Sequence, residues 1–180
     1  MWLAHLLTLS RIPIAIVFWL TYGNPWLSLA LVGLAALTDA ADGNVARWAR
    51  RRTGDTSPSA GEWLDPLADK LFIVIVLGAI QFHDPVPWWI IGLILARELV
   101  LVPLAIAYRV LVHGRAEHAF QAGVVGKAAT VAEIFAIMAL ITHSPAIMPL
   151  AITSAVLGLV AAGQYIARAA HARPRERLAS

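Results

Sequence analysis

Four aspartates with regular spacing are the residues of this chain best suited to chemistry. Asp39 and Asp42 lie three residues apart near the end of one apolar segment, and Asp65 and Asp69 lie four residues apart at the start of the next. On helices, these spacings place each pair on one face. A carboxylate in a membrane segment costs roughly 3 kcal/mol on insertion scales, so it indicates function by default. Carboxylate oxygens bind hard divalent cations, which in turn bind phosphates. The pattern predicts a metal-dependent enzyme site.

Small residues and an arginine accompany the carboxylates. Gly43 and Gly61 lack side chains within one turn of an aspartate, which allows a bulky ligand to approach closely. Ala46 is also small, and Arg47 carries a planar guanidinium suited to a phosphate. A single carboxylate at a helix end is often only hydrated at the membrane interface. The combined spacing favours a site that holds a metal-bound diphosphate.

Pro66 follows the third aspartate directly. It fits a helix that begins at Asp65, because a missing N–H costs little in the first turn.

Composition predicts an all-α integral membrane protein. Hydrophobic residues make up 59% of the 180, charged residues 14%, and the mean hydropathy is +0.72. A membrane helix needs about 20 apolar residues. The sequence predicts a six-transmembrane-helix bundle that forms a single domain over residues 1–180. The predicted spans are Leu3–Tyr22, Trp26–Trp48, Gly61–Phe82, Pro87–His113, Ala122–Ile141 and Ala146–Arg168. Cysteine is absent, which excludes disulfides and thiolate metal sites.

Charge asymmetry predicts the orientation of the bundle. Residues 47–52 include four arginines, and further basic residues follow the fourth span and form the tail. The connections at 24–25, 82–87 and 142–145 hold neither Lys nor Arg. The positive-inside rule therefore predicts a cytoplasmic-membrane protein with both termini and the aspartates on the cytosolic side. Nucleic-acid binding is disfavoured, because the basic residues flank lipid-length helices and do not alternate with aromatic stacking positions.

The aspartate string resembles the signature of the CDP-alcohol phosphatidyltransferase family, Asp-x2-Asp-Gly-x2-Ala-Arg-x8–9-Gly-x3-Asp-x3-Asp. Each specified residue is present, from Asp39 to Asp69. One departure is the spacing between Arg47 and Gly61, where 13 residues replace the usual eight or nine. The extra residues fall in Arg52–Ala60, a polar stretch rich in Gly, Ser and Pro that is typical of a surface loop.

The resemblance implies a function and a site. Enzymes of this family transfer a phosphatidyl group from CDP-diacylglycerol to an alcohol and release CMP, and the resemblance also implies a homodimer. Asp39, Asp42 and Asp65 would bind two Mg²⁺ or Mn²⁺ ions. Asp69 would act as the general base and also contact metal. The expected contacts of the CDP-lipid are Gly43, Ala46, Arg47 and Gly61.

Other segments concern the acceptor. The stretch Leu64–Lys70 resembles the branch of phosphatidylglycerophosphate synthases and cardiolipin synthases. Thr8-Leu9-Ser10-Arg11 resembles that branch's Asn-x2-Thr-x2-Arg start, with His5 in place of Asn. Arg97-Glu98 lies well inside the fourth predicted span. Because adjacent helix residues do not face each other, the sequence predicts that Glu98 alone does not account for this arginine.

Arg97 and Lys127 are the predicted ligands of the acceptor phosphate. Glycerol-phosphate enzymes usually carry Arg-Glu-x6-Arg and Gly-Lys-x-Lys-Thr, whereas this chain has Ala105 and Ala129 at the second basic positions. The favoured acceptor is glycerol 3-phosphate. The alternative is phosphatidylglycerol, which a cardiolipin synthase would use.

Two other classes also use acidic residues in membranes. A membrane prenyltransferase carries two Asp-rich motifs, but in that family they lie far apart in a chain about twice this length. An ion-coupled transporter would scatter its carboxylates through the midplane of the membrane. Neither class predicts the continuation Asp42-Gly43-x-x-Ala46-Arg47.

Overall fold

The computed structural model describes residues 2–53, 61–103 and 123–176, with side chains at 10–39, 69–103 and 123–167. All regular structure in these ranges is α-helical, in agreement with the predicted class. The helices are α1 Trp2–Leu20, α2 Pro25–Thr53, α3 Gly61–His83, α4 Trp88–Ile94, α5 96–103, α6 Val124–Ile141 and α7 Ile147–Glu176. They form two compact units, α1–α3 within Met1–Val86 and α4–α7 within Pro87–Ser180.

The fourth predicted span is not one continuous helix. α4 ends at Ile94, Leu95 forms a turn, and α5 continues from residue 96. Hydropathy runs unbroken through this position, because it reports burial and not backbone geometry. Residues 104–113 of that span lie outside the described ranges.

Other predicted boundaries also differ. α2 and α7 extend beyond the predicted ends at Trp48 and Arg168. α3 begins at Gly61, so Pro66 lies inside the helix and not in its first turn. Proline is tolerated inside membrane helices, since neighbouring groups satisfy the freed backbone oxygen.

Two helices meet the length and hydropathy of a membrane span among the residues that the structure describes. They cover Val124–Ile141 and Ile147–Ala167, while Ser10–Leu20 and Pro25–Asp39 are shorter apolar helices. The structure therefore supports a helical protein with two span candidates, and the six-span bundle stays a prediction.

A short turn joins the first two helices. Asn24 caps α2, because its Oδ1 accepts a hydrogen bond from the Leu27 N–H at 3.2 Å. Pro25 follows at the first helical position, where its missing N–H is not needed. Gly23 has a φ of 114°, a conformation that L side chains rarely adopt. This turn brings α2 back alongside α1.

In the first unit, α1 packs against both α2 and α3. Its buried residues Ala15 and Phe18 belong to a core that also includes Val32 of α2 and Val76 and Ile80 of α3. Trp19 near the end of α1 contacts Phe82 near the end of α3, with ring centroids 5.7 Å apart. α1 and α3 therefore run in the same direction.

In the second unit, α7 packs against α6 and α4. Small side chains make up much of this core, including Ala129 and Ala136 of α6 and Ala151 and Ala155 of α7. Such residues let helix backbones approach closely, which is how membrane helices gain packing energy.

Candidate active site

Arg11 of α1 joins the two aspartate motifs. Its Nη2 donates a hydrogen bond to Asp39 Oδ1 of α2 at 2.9 Å, and its Nη1 donates to Asp69 Oδ1 of α3. Both contacts are also ion pairs. A guanidinium presents its N–H groups as a planar fork, which lets one side chain bind two carboxylates at once. The first and last aspartates of the signature, which come from different helices, therefore converge on a single side chain.

Burial differs sharply between the arginine and its partners. The Arg11 side chain is 3% exposed, whereas those of Asp39 and Asp69 are 49% and 40% exposed. A buried charge without a partner costs several kcal/mol, so the two carboxylates account for the position of the arginine. The carboxylates themselves stay accessible, and the hydrogen bonds to Arg11 use only one oxygen of each.

The other signature residues are only partly located. Asp42, Gly43, Ala46 and Arg47 belong to α2, the helix of Asp39. Gly61 and Asp65 belong to α3, the helix of Asp69. Their side chains lie outside the described ranges, so their roles stay predictions.

The described carboxylates fit a hard divalent cation. Such cations take oxygen ligands, and the two accessible carboxylates lie close enough together to share one guanidinium. The residues with described side chains contain no cluster of three or more potential ligands. Asp42 and Asp65 stay predicted ligands, because their side chains lie outside the described ranges.

A second, partly buried arginine lies at the start of α5. Arg97 pairs with Glu98 at 2.7 Å and with Glu133 of α6 at 3.4 Å. The Glu133 side chain is 2% exposed. The expectation that Glu98 alone would not account for this arginine is confirmed, because Glu133 is a second carboxylate partner. The long Arg97 side chain reaches its neighbour, and Glu133 supplies a further partner from α6.

Arg97 also links the two sequence segments that were assigned to the acceptor. Its Nη1 donates hydrogen bonds to the Gly126 carbonyl at 3.1 Å and to Thr130 Oγ1 at 2.7 Å. Lys127, between these two residues in sequence, is exposed in the first turn of α6. The Arg97-Glu98 pair and the Gly126–Thr130 segment are therefore neighbours in space.

Three residues at these positions were not identified from the sequence alone. Arg11 was noted only as part of a terminal motif, and its carboxylate partners depend on helix packing. Glu133 carries a detectable signal, since a lone carboxylate in an apolar helix needs a partner. Gly158 of α7 leaves no such signal. A Cβ built there would lie 2.7 Å from the Cβ of Arg97.

The comparisons with known proteins identify the family of the chain. The model of the CDP-alcohol phosphatidyltransferase family matches residues 1–162. The chain therefore belongs to this family, whose members use divalent metal ions. Membership disfavours the prenyltransferase and transporter interpretations. The family and the two apolar helices together indicate a membrane protein.

Relatives carry two kinds of name. The chain is 38% identical over 106 residues to the CDP-diacylglycerol–glycerol-3-phosphate 3-phosphatidyltransferase of Blochmanniella floridana, over 54% of this chain and 53% of the relative. It is 32% identical over 136 residues to the cardiolipin synthase (CMP-forming) of Streptomyces coelicolor. That match covers 70% of this chain and 58% of the relative. It is 30% identical over 104 residues to the probable cardiolipin synthase (CMP-forming) of Drosophila melanogaster. That match covers 57% of this chain and 31% of the relative. The matched region thus spans about a third to somewhat over half of these relatives.

The close approach of Gly158 to Arg97 yields a test. We expect Gly158→Ala to lower stability by about 1–3 kcal/mol, because overpacking forces the backbone or the arginine to shift. Thermal unfolding of the purified protein in detergent measures this change. Gly163→Ala on the same helix is the matched control, since a Cβ there meets nothing within 4 Å. Equal melting temperatures for the two variants would contradict a tight contact at Gly158.

Proposed function

We propose that this protein transfers a phosphatidyl group from CDP-diacylglycerol to an alcohol and releases CMP. The observation that carries the proposal is the convergence of Asp39 and Asp69 on Arg11, which joins the two halves of the signature. Family membership and the names of the relatives support the same reaction class.

The proposed chemistry assigns a role to each aspartate. Asp39, Asp42 and Asp65 would hold two Mg²⁺ or Mn²⁺ ions, with Asp69 as a further ligand. Bound metal would neutralise charge on the diphosphate and on departing CMP. Asp69 would take the proton of the acceptor hydroxyl as its oxygen attacks the lipid-linked phosphorus. The bond from that phosphorus to the oxygen of CMP then breaks.

The surroundings of the diphosphate follow from the signature. We propose that Arg47 contacts phosphate and that Gly43, Ala46 and Gly61 leave room for the CDP-lipid. The protein would be a homodimer of six-span subunits in the cytoplasmic membrane, with the termini and the site facing the cytosol. The basic connections support that orientation.

Glycerol 3-phosphate is the favoured acceptor, and phosphatidylglycerol is the alternative. Arg97 contacts the Gly126–Thr130 segment, which supports one acceptor region formed by both motifs. Lys127 is exposed beside it and could bind a phosphate. Relatives named for each of the two reactions support both candidates.

A release assay tests the proposal directly. Purified protein is incubated with CDP-diacylglycerol, Mg²⁺ and one acceptor at a time, and CMP is measured. The panel comprises glycerol 3-phosphate, phosphatidylglycerol, inositol phosphate and serine. CMP release that depends on glycerol 3-phosphate supports the favoured acceptor, and release only with phosphatidylglycerol supports the alternative. The variant Asp42→Asn, which we expect to be inactive, serves as the negative control. No release with any acceptor would refute the proposed reaction.

The metal ligands can be tested one at a time. We expect Asp39→Asn, Asp42→Asn and Asp65→Asn each to abolish turnover, because each removes an anionic oxygen ligand. Mg²⁺ titration of activity and of thermal stability measures the weakened binding. Near-normal activity of one variant at modest Mg²⁺ would remove that residue from the ligand set.

Asp69 should behave differently from a pure ligand. We expect Asp69→Asn to lower the rate roughly 10²–10⁴-fold, the usual contribution of a general base. Binding of CDP-diacylglycerol should change little. If Asp69→Asn loses CDP-lipid affinity as severely as Asp42→Asn, then Asp69 is mainly a metal ligand.

Michaelis constants can test whether Arg97 and Lys127 bind the acceptor. We expect Lys127→Ala and Arg97→Lys to raise the KM for the acceptor much more than the KM for CDP-diacylglycerol, because both weaken phosphate contacts. Thr130→Val is the matched control. It removes one hydrogen bond of Arg97 and leaves both charges in place. Unchanged acceptor KM in folded Lys127→Ala and Arg97→Lys proteins would exclude both residues from the acceptor site.

A further inference from the structure

We propose that Arg11 is the fixed counter-cation of the aspartate site. In this role it is a positioning residue that holds Asp39 and Asp69 together before any metal binds. This inference rests on the proposed function, because it takes these aspartates as metal ligands.

The charges of the site require such a residue. The signature contributes four carboxylates on two helices, and Asp39 and Asp69 share one cation. Like charges repel strongly in a partly buried site, so a metal-free cluster would tend to separate α2 from α3. Arg11 lies on α1, the helix that packs against both of them. Its charge offsets the repulsion where the two motifs meet.

The geometry leaves the metal-facing side of the carboxylates available. Arg11 is almost fully buried, and its hydrogen bonds to Asp39 and Asp69 go to the Oδ1 atom of each. Both carboxylates are at least 40% exposed, so an entering ion can reach them without displacing the arginine. Arg11 therefore fixes the carboxylates from the protein side while metal approaches from the solvent side.

This arrangement predicts that Mg²⁺ can partly replace the positive charge of Arg11. In the native protein, Arg11 neutralises part of the cluster whether or not Mg²⁺ is bound. Without Arg11, the metal-free site keeps its full repulsion, so Mg²⁺ relieves more of it on binding. A ligand that binds only the folded state stabilises it by an amount that grows with the logarithm of its affinity. Mg²⁺ should then stabilise an Arg11 variant more than it stabilises the native protein.

The experiment compares thermal unfolding of the full chain in detergent with EDTA and with excess MgCl₂. We expect Arg11→Gln to melt about 6–12 °C below the native protein in EDTA, since it leaves the two carboxylates without their partner. Mg²⁺ should restore at least half of that loss. NaCl at matched ionic strength should not, which separates binding from screening.

Arg97→Gln is the matched control. This substitution also breaks an ion pair between an arginine and a carboxylate. The carboxylate, Glu133, is deeply buried, lies in the second unit and belongs to no metal motif. We expect a similar loss of melting temperature in EDTA and no recovery with Mg²⁺. Equal Mg²⁺ responses of the two variants, or an Arg11→Gln protein as stable in EDTA as the native one, would overturn the proposal.

A milder substitution keeps the test possible if the Arg11→Gln protein does not fold. If Arg11→Gln cannot be recovered without metal, Arg11→Lys keeps the charge but loses the two-pronged fork. A larger Mg²⁺ shift for Arg11→Lys than for the native protein supports the proposal, and an equal shift refutes it. The proposed function is judged separately, by CMP release from the native protein. Release by a protein whose Arg11 variants do not respond to Mg²⁺ would refute this inference alone.

Discussion

The shared contact of Arg11 with Asp39 and Asp69 organises the first unit. It joins three helices through one buried guanidinium, and the two carboxylates come from motifs on different helices. Burying an arginine is costly unless its charge is matched, so the helices must place both carboxylates beside it. The same constraint brings the acidic motifs together, and the proposed metal chemistry needs that proximity.

Arg11 and Arg97 differ in how accessible their carboxylate partners are. The carboxylates paired with Arg11 are about half exposed, so they can bind something else as well. Glu133, a partner of Arg97, is almost fully buried and faces no solvent. The first cluster thus combines a structural cation with accessible ligands, while the second ties α5 to α6. The accessibility of the carboxylate, not the presence of an ion pair, therefore distinguishes a candidate metal site from an ion pair that binds no metal.

Arg97 also bears on which acceptor the protein uses. It contacts the Gly126–Thr130 segment, and Gly158 of α7 leaves room for its Cβ. The chain has Ala105 and Ala129 where glycerol-phosphate enzymes usually carry basic residues. Fewer cations around the acceptor would weaken binding of a phosphate dianion more than that of a phosphodiester. The acceptor question therefore turns on the charge of its phosphate.

The sequence alone determined the helical class, the family and the four candidate metal ligands. Hydropathy reports burial, and a motif of fixed spacing reports which side chains share a helix face. Neither reports how helices pack. The turn at Leu95, the role of Gly158 and the choice of Asp39 and Asp69 as partners of Arg11 were decided only by the tertiary structure. The contacts of Gly158 and Arg11 join residues far apart in the chain, and local sequence patterns carry no record of such contacts.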